Sequence, residues 1–73
     1  MATRTIKAEI TGVIITLEKQ VGDPVEADDI VLFMESMKME MPVTAPVSGL
    51  ISEIAVAERD TVTEGQVLAR IET

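Results

Sequence analysis

A single lysine lies within a run of methionines near the middle of the chain. The run MESMKMEM (Met34–Met41) holds four of the five methionines in the 73-residue sequence, with Lys38 between Met37 and Met39. A lysine amine can act as a nucleophile when it is unprotonated, so Lys38 is the residue of this run that could do chemistry. The ordinary alternative is structural: adaptable methionines would fill the core, and Lys38 would be a solvated strand lysine.

The remaining composition offers little other chemistry. The sequence has no cysteine and no histidine, which removes thiolate chemistry, the usual general base and the commonest metal ligand. Glu26, Asp28 and Asp29 form a small acidic cluster, but their spacing matches no known metal-binding loop, so we expect a solvated turn. We therefore predict no catalytic residues and no metal site.

Charge and hydropathy narrow the choice of partners. Six basic and 13 acidic residues give a net charge of −7, which disfavours nucleic acid and anionic membranes and suits docking to basic protein surfaces. No apolar run approaches the roughly 20 residues of a membrane helix, and the first ten residues contain no hydrophobic signal core. With no cysteine either, we expect a cytoplasmic protein.

The chain repeats itself. A shift of 37 residues (49 − 12) aligns the halves 1–36 and 37–73 without a gap. Each half is too small to bury its own apolar face, so we expect the halves to pack together as one domain, 1–73. The matched pairs include Gly12 with Gly49, Ile14 with Ile51, Asp23 with Asp60, Val25 with Val62, Val31 with Leu68, Met34 with Ile71 and Glu35 with Glu72.

Short runs rich in Val, Ile and Thr predict strands, and alternation would place Ile30, Leu32 and Met34 on one face. Turn signals separate the runs, and at Pro46–Gly49 we expect Gly49 to supply a special turn geometry. The sequence predicts an all-β chain: a flattened β-barrel, or barrel-sandwich hybrid, of two pseudo-two-fold related halves. The predicted strands are Ile6–Gly12, Val13–Leu17, Ile30–Glu35, Glu40–Ala45, Gly49–Val56 and Val67–Ile71.

Lys38 lies at the junction of the two copies. Under a two-fold relation the junction corresponds to the two chain ends, so a hairpin carrying Lys38 should project from one end of the barrel while the termini meet at the other. A tight turn at Met37-Lys38 would lack the Asn-Gly or Asp-Gly that primed hairpin turns favour. If such a turn forms, we expect side-chain identity there to matter more than backbone ease.

The stretch Glu35-Ser36-Met37-Lys38-Met39 resembles the biotin attachment motif of biotinyl domains, with Ser36 in place of the usual alanine. The resemblance extends over essentially the whole chain. Ala27-Asp28-Asp29 departs from the Lys-Gly-Asp that relatives often carry, which affects a turn and not the lysine. The other matching segments are Gly12–Ile14, Val21–Val25, Ala45–Gly49 and Glu64–Leu68.

This resemblance implies a biotin carboxyl carrier. A biotin protein ligase would attach biotin to the ε-nitrogen of Lys38, and Met37, Met39, Glu35 and Ser36 would form the flanking recognition motif. The arm would carry carboxylate from a biotin carboxylase to a carboxyltransferase, while the carrier itself would catalyse nothing. We expect the carrier to be a monomer in isolation.

Two other functions fit the same sequence. Lipoyl carriers share the expected fold, although their tips usually read Asp-Lys-Ala or Asp-Lys-Val, unlike Met37-Lys38-Met39. A small β-module could also dock another protein through a methionine-rich tip with its lysine unmodified. Because the halves align without an inserted thumb segment and no linker flanks the strands, we expect a small free-standing protein.

Overall fold

The computed structural model describes residues 2–73, which form eight strands and no helix. The prediction of an all-β fold is confirmed. The strands are β1 (Thr3–Lys7), β2 (Gly12–Leu17), β3 (Pro24–Val25), β4 (Ile30–Ser36), β5 (Met39–Thr44), β6 (Gly49–Ile54), β7 (Thr61–Val62) and β8 (Val67–Glu72).

The strands form two four-stranded antiparallel sheets with the orders β1-β8-β6-β3 and β5-β4-β2-β7. Replacing each strand by its counterpart 37 residues away converts one sheet into the other. The irregularities follow the same relation, because β2 is bulged between Ile14 and Thr16 and β6 between Ile51 and Glu53. The predicted pseudo-two-fold relation between the halves is confirmed at the level of single residues.

The core lies between the two sheets and is built from corresponding residues of both halves. Burying an aliphatic side chain of this size stabilises a fold by about 1.5–3 kcal/mol, so the core supplies the main stabilising term. The corresponding buried pairs are Ala8 with Ala45, Ile14 with Ile51, Val25 with Val62, Val31 with Leu68, Leu32 with Ala69 and Met34 with Ile71.

Several details differ from the sequence predictions. The first strand is Thr3–Lys7 and not Ile6–Gly12, and the two-residue strands β3 and β7 were not predicted. Strict alternation in β4 is also wrong: Ile30 is exposed, whereas the adjacent Val31 and Leu32 are both fully buried. The cause is a bulge, because β4 holds one residue more than β5 between Ile30 and Leu32.

Gly49 has a different role from the predicted one. It begins β6, and its φ is not in the left-handed region, so no special turn geometry depends on it. Instead, a Cβ at this position would overlap the carbonyl oxygen of Glu72 and the Cγ2 of Ile71. The requirement for glycine here comes from the close approach of β8.

Candidate functional site

The lysine lies at the tip of the hairpin that joins β4 and β5. Ser36 pairs with Met39 across the hairpin, which leaves Met37 and Lys38 as a two-residue loop. Their φ angles are 53° and 66°, as a type I′ turn requires at both central positions. Neither residue is Gly, Asn or Asp, so each adopts the left-handed region at a cost of about 1–2 kcal/mol. The tight turn considered from the sequence at Met37-Lys38 is therefore present, and it is of the primed type.

The four methionines of the hairpin separate into two kinds. Met34 is 2% exposed and belongs to the core, and its cross-strand partner Met41 is half-buried. Met37 and Met39, the neighbours of Lys38, are 88% and 64% exposed. Core filling therefore accounts for Met34 and not for the two residues beside the lysine, which is itself exposed.

Ser36 fixes the base of the tip. Its side chain is buried, and its Oγ donates a hydrogen bond of 2.8 Å to the carbonyl oxygen of Thr11. The Oγ1 of Thr11 in turn accepts a hydrogen bond from the backbone N–H of Glu64 at 3.2 Å. The segment before β2 thus connects the end of β4 to the turn before β8, which gives the lysine-bearing hairpin a rigid base.

Gly12, at the start of β2, allows close packing against β4, the strand that ends at Ser36. A Cβ at residue 12 would overlap the carbonyl oxygen of Glu35 and would lie 3.0 Å from the Cε of Met34. Only a residue without a side chain lets β2 approach β4 this closely. Sequence reasoning missed this role of Gly12 and the hydrogen bond to Thr11, although the match of Gly12 with Gly49 in the repeat signalled a shared backbone constraint.

The tip carries two like charges on opposite strands. Glu35 and Glu40 are exposed and directly paired across the hairpin. Like charges in this arrangement disfavour pairing slightly. Within residues 2–73 one ion pair is present, between Arg70 and Glu53. The ammonium group of Lys38 is therefore not paired with either flanking glutamate.

The chain termini form the counterpart of the lysine hairpin. The N–H of Thr73 donates a hydrogen bond of 2.8 Å to the carbonyl oxygen of Ala2, and a reciprocal bond of 3.4 Å completes the pair. A shift of 37 residues turns Ala2 and Thr73 into Met39 and Ser36, the last pair before the lysine turn. The predicted meeting of the termini is confirmed.

The acidic cluster outside the tip has a local structural use. The Asp29 carboxylate accepts a hydrogen bond from the Glu26 N–H at 2.8 Å and closes a turn, while Asp28 has a φ of 75°. Within residues 2–73, no group of three or more His, Cys, Asp or Glu side chains is placed to hold a metal ion. That part of the chain also contains no helix long and apolar enough to span a bilayer.

Known proteins resemble this chain in sequence and in architecture. A sequence profile for the family described as "Biotin-requiring enzyme" matches residues 2–71. A protein of Mycobacterium leprae (strain TN), named as a homolog of biotinylated protein TB7.3, is 35% identical over 66 residues, which is 90% of this chain and 93% of that protein.

Two solved structures show the fold in different settings. Urea carboxylase from Kluyveromyces lactis superposes with a TM-score of 0.92 and 36% identity over 99% of this chain, which spans only 6% of that larger protein. The lipoyl domain of the 2-oxoglutarate dehydrogenase complex from Azotobacter vinelandii superposes with a TM-score of 0.77 and 29% identity, covering 93% of this chain and 96% of the domain. With its barrel of two related sheets and its exposed lysine at a hairpin tip, the chain belongs to the biotin/lipoyl attachment family.

Proposed function

We propose that the protein is a biotin carboxyl carrier and that Lys38 is the residue to which biotin is attached. The observation that carries this proposal is the tip of the β4–β5 hairpin. Lys38 is exposed there in a turn that its residue types do not favour, between two methionines that are 88% and 64% exposed. A fold selected for stability alone would place Asn-Gly at this turn.

The tip fits covalent attachment of a long arm. The ε-amine of Lys38 is held at the end of a two-residue turn where no side chain pairs with its charge in residues 2–73. A biotin protein ligase would deliver an activated biotinyl group; the amide C–N bond forms, the activating group leaves, and the amine loses its proton. The net charge changes from −7 to −8 because one ammonium group is lost. Once attached, biotin supplies a ring nitrogen that can carry carboxylate.

The chain's own residues bind and position, and none performs a chemical step. The hydrogen bond from Ser36 to Thr11 and the close packing on Gly12 hold the hairpin base, while Met37 and Met39 offer an adaptable apolar contact. Tethering the arm to a fixed tip raises its effective concentration at two active sites. We propose a biotin carboxylase and a carboxyltransferase as the two enzymes, in a system like those of the carboxylases that contain related domains. The expected monomeric state and cytoplasmic location stay predictions.

A lipoyl carrier is the second candidate, since the lipoyl domain of Azotobacter vinelandii superposes over 93% of the chain. Separate incubations with the two ligases distinguish the two functions. Purified unmodified protein is incubated with biotin protein ligase and biotin, and in parallel with lipoate protein ligase and lipoate. We expect modification by the first enzyme only. Modification by the second ligase alone would identify the protein as a lipoyl carrier. Modification by neither would favour an unmodified docking module.

A further inference from the structure

The two-fold relation of the barrel does not hold for the side chains on the inner face of β5. Several core positions match between the halves in size and burial, as Ile14 and Ile51 do, although Leu32 corresponds to Ala69. Met39 and Met41 instead correspond to Ala2, which precedes β1, and to Arg4 on β1. At these two positions the lysine end carries long apolar side chains that the terminal end lacks.

These methionines form a path that leads away from the tip. Side chains alternate along a strand, and β5 is regular from Met39 to Val43, so Met39, Met41 and Val43 share one face. Their exposure decreases along the strand: Met39 is 64% exposed, whereas Met41 and Val43 are half-buried. The path therefore starts beside Lys38 and runs into the body of the protein.

The path ends in a groove of about 500 Å³ between the edge strands β1 and β5. This volume is within the usual range for small-molecule sites. The side chains that line the groove at the lysine end are Met34 and Met41, while their counterparts Ile71 and Arg4 are not part of its wall. The groove is thus extended toward the lysine and not toward the termini.

The opposite wall of the groove supplies polar groups next to apolar ones. Lys7 and Glu9 line it together with Ile10, which is 36% exposed. A ureido ring has a carbonyl oxygen that accepts a hydrogen bond from an ammonium group and two N–H groups that donate to a carboxylate. The mixed lining of the groove complements such a ring.

We propose that Met39, Met41 and the β1–β5 groove form a resting site for the ring of the biotin carried on Lys38 of the same chain. Met41 lies three residues beyond Lys38, about 10 Å along the strand at about 3.3 Å per residue. A lysine side chain extended by the biotin acid chain reaches roughly 12–15 Å by ordinary bond lengths. The ring on its own arm therefore reaches the lysine end of the groove. This inference rests on the proposed function.

Nuclear Overhauser effects (NOEs) measured on protein biotinylated by the ligase test the resting site. We expect NOEs between ring protons and the methyl groups of Met41 and Ile10. Contacts confined to Met37 and Met39, or none, would overturn the inference while leaving the carrier function intact. If the ligase leaves Lys38 unmodified, the carrier function fails instead. A Lys38→Cys variant in this cysteine-free chain, alkylated with a biotin reagent of matched arm length, then tests the groove on its own.

Capture by a biotin-binding protein gives a second readout. If about nine molecules in ten hold the ring in the groove, capture is about tenfold slower than for a free arm. Met41→Thr and Ile10→Ser should each accelerate capture, and Arg4→Thr, the change at the counterpart of Met41, should not. Ile10 is not part of the β4–β5 hairpin, so the Ile10→Ser variant keeps the test valid if Met41→Thr unfolds the hairpin. Equal capture rates for wild type and Ile10→Ser would contradict the resting site.

Discussion

The carbonyl oxygen of Glu35 lies against the α-carbon of Gly12, so closely that a Cβ on residue 12 would overlap it. The same contact recurs between Glu72 and Gly49 in the second half of the chain. The strand that leads to Lys38 is therefore supported by a glycine through backbone contact.

Gly12→Ala should destabilise the fold, because the atom that blocks the new methyl group is backbone and cannot rotate away. We expect a loss of about 1–3 kcal/mol in the free energy of unfolding, and a similar loss for Gly49→Ala. Urea denaturation measures both.

Gly22→Asn is the matched control for these glycines. Gly22 has a φ of 94° and open space where a Cβ would lie, and asparagine tolerates left-handed backbone. This variant should lose less stability than Gly12→Ala. Equal losses for the two would contradict the close-approach argument.

The Met37-Lys38 turn should make the protein less stable than a turn of residues that favour left-handed backbone would. Replacing Met37-Lys38 by Asn-Gly relieves two non-glycine residues of left-handed backbone, and we expect a gain on the order of 2 kcal/mol in unfolding free energy. The variant should accept no biotin. A melting temperature at or below that of the wild type would contradict the claim that Met37 and Lys38 destabilise the turn.

Ser36→Ala tests the anchor at the base of the hairpin. Loss of the 2.8 Å hydrogen bond to the Thr11 carbonyl oxygen should reduce the unfolding free energy by about 1 kcal/mol, with biotin attachment retained. Ser52→Ala is the control, because the Ser52 hydroxyl is exposed and its bond to Arg70 is 3.3 Å long. If Ser36→Ala abolished attachment in a folded protein, Ser36 would be read directly by the ligase.

Glu40→Gln should relieve the like-charge pair with Glu35. We expect a small gain in stability, no more than about 0.5 kcal/mol at low salt, because both side chains are exposed and screened. Thermal melts of the biotinylated protein at low and high salt measure the effect, which should shrink as salt rises. A gain that salt leaves unchanged would have a cause other than charge.

The internal repeat made much of the fold predictable from the sequence. A gap-free shift of 37 residues was enough to predict two related halves, the place of the lysine hairpin and the meeting of the termini, and the runs rich in Val, Ile and Thr predicted the all-β fold. These features depend on composition and on pairs such as Gly12 with Gly49, which a single chain displays. Strand ends were harder to predict because the two-residue strands β3 and β7 hold too few residues for any periodicity.

Features set by bulges and by contacts distant in sequence were not predictable. Val31 is buried because β4 carries an extra residue, and no local pattern encodes that insertion. The bond from Ser36 to Thr11 joins residues 25 apart, and the need for glycine at position 49 comes from Glu72 across the sheet. Each depends on register between strands, which the sequence leaves open until the sheets are assembled.

The most direct test of the carrier function is an intact mass spectrum of the protein co-expressed with a biotin protein ligase and excess biotin, followed by fragmentation. We predict one added biotin less one water, located on Lys38, and no addition in a folded Lys38→Arg variant. An unmodified mass, or a label on Lys7 or Lys19 that persists in Lys38→Arg, would contradict the assignment of Lys38 as the attachment site.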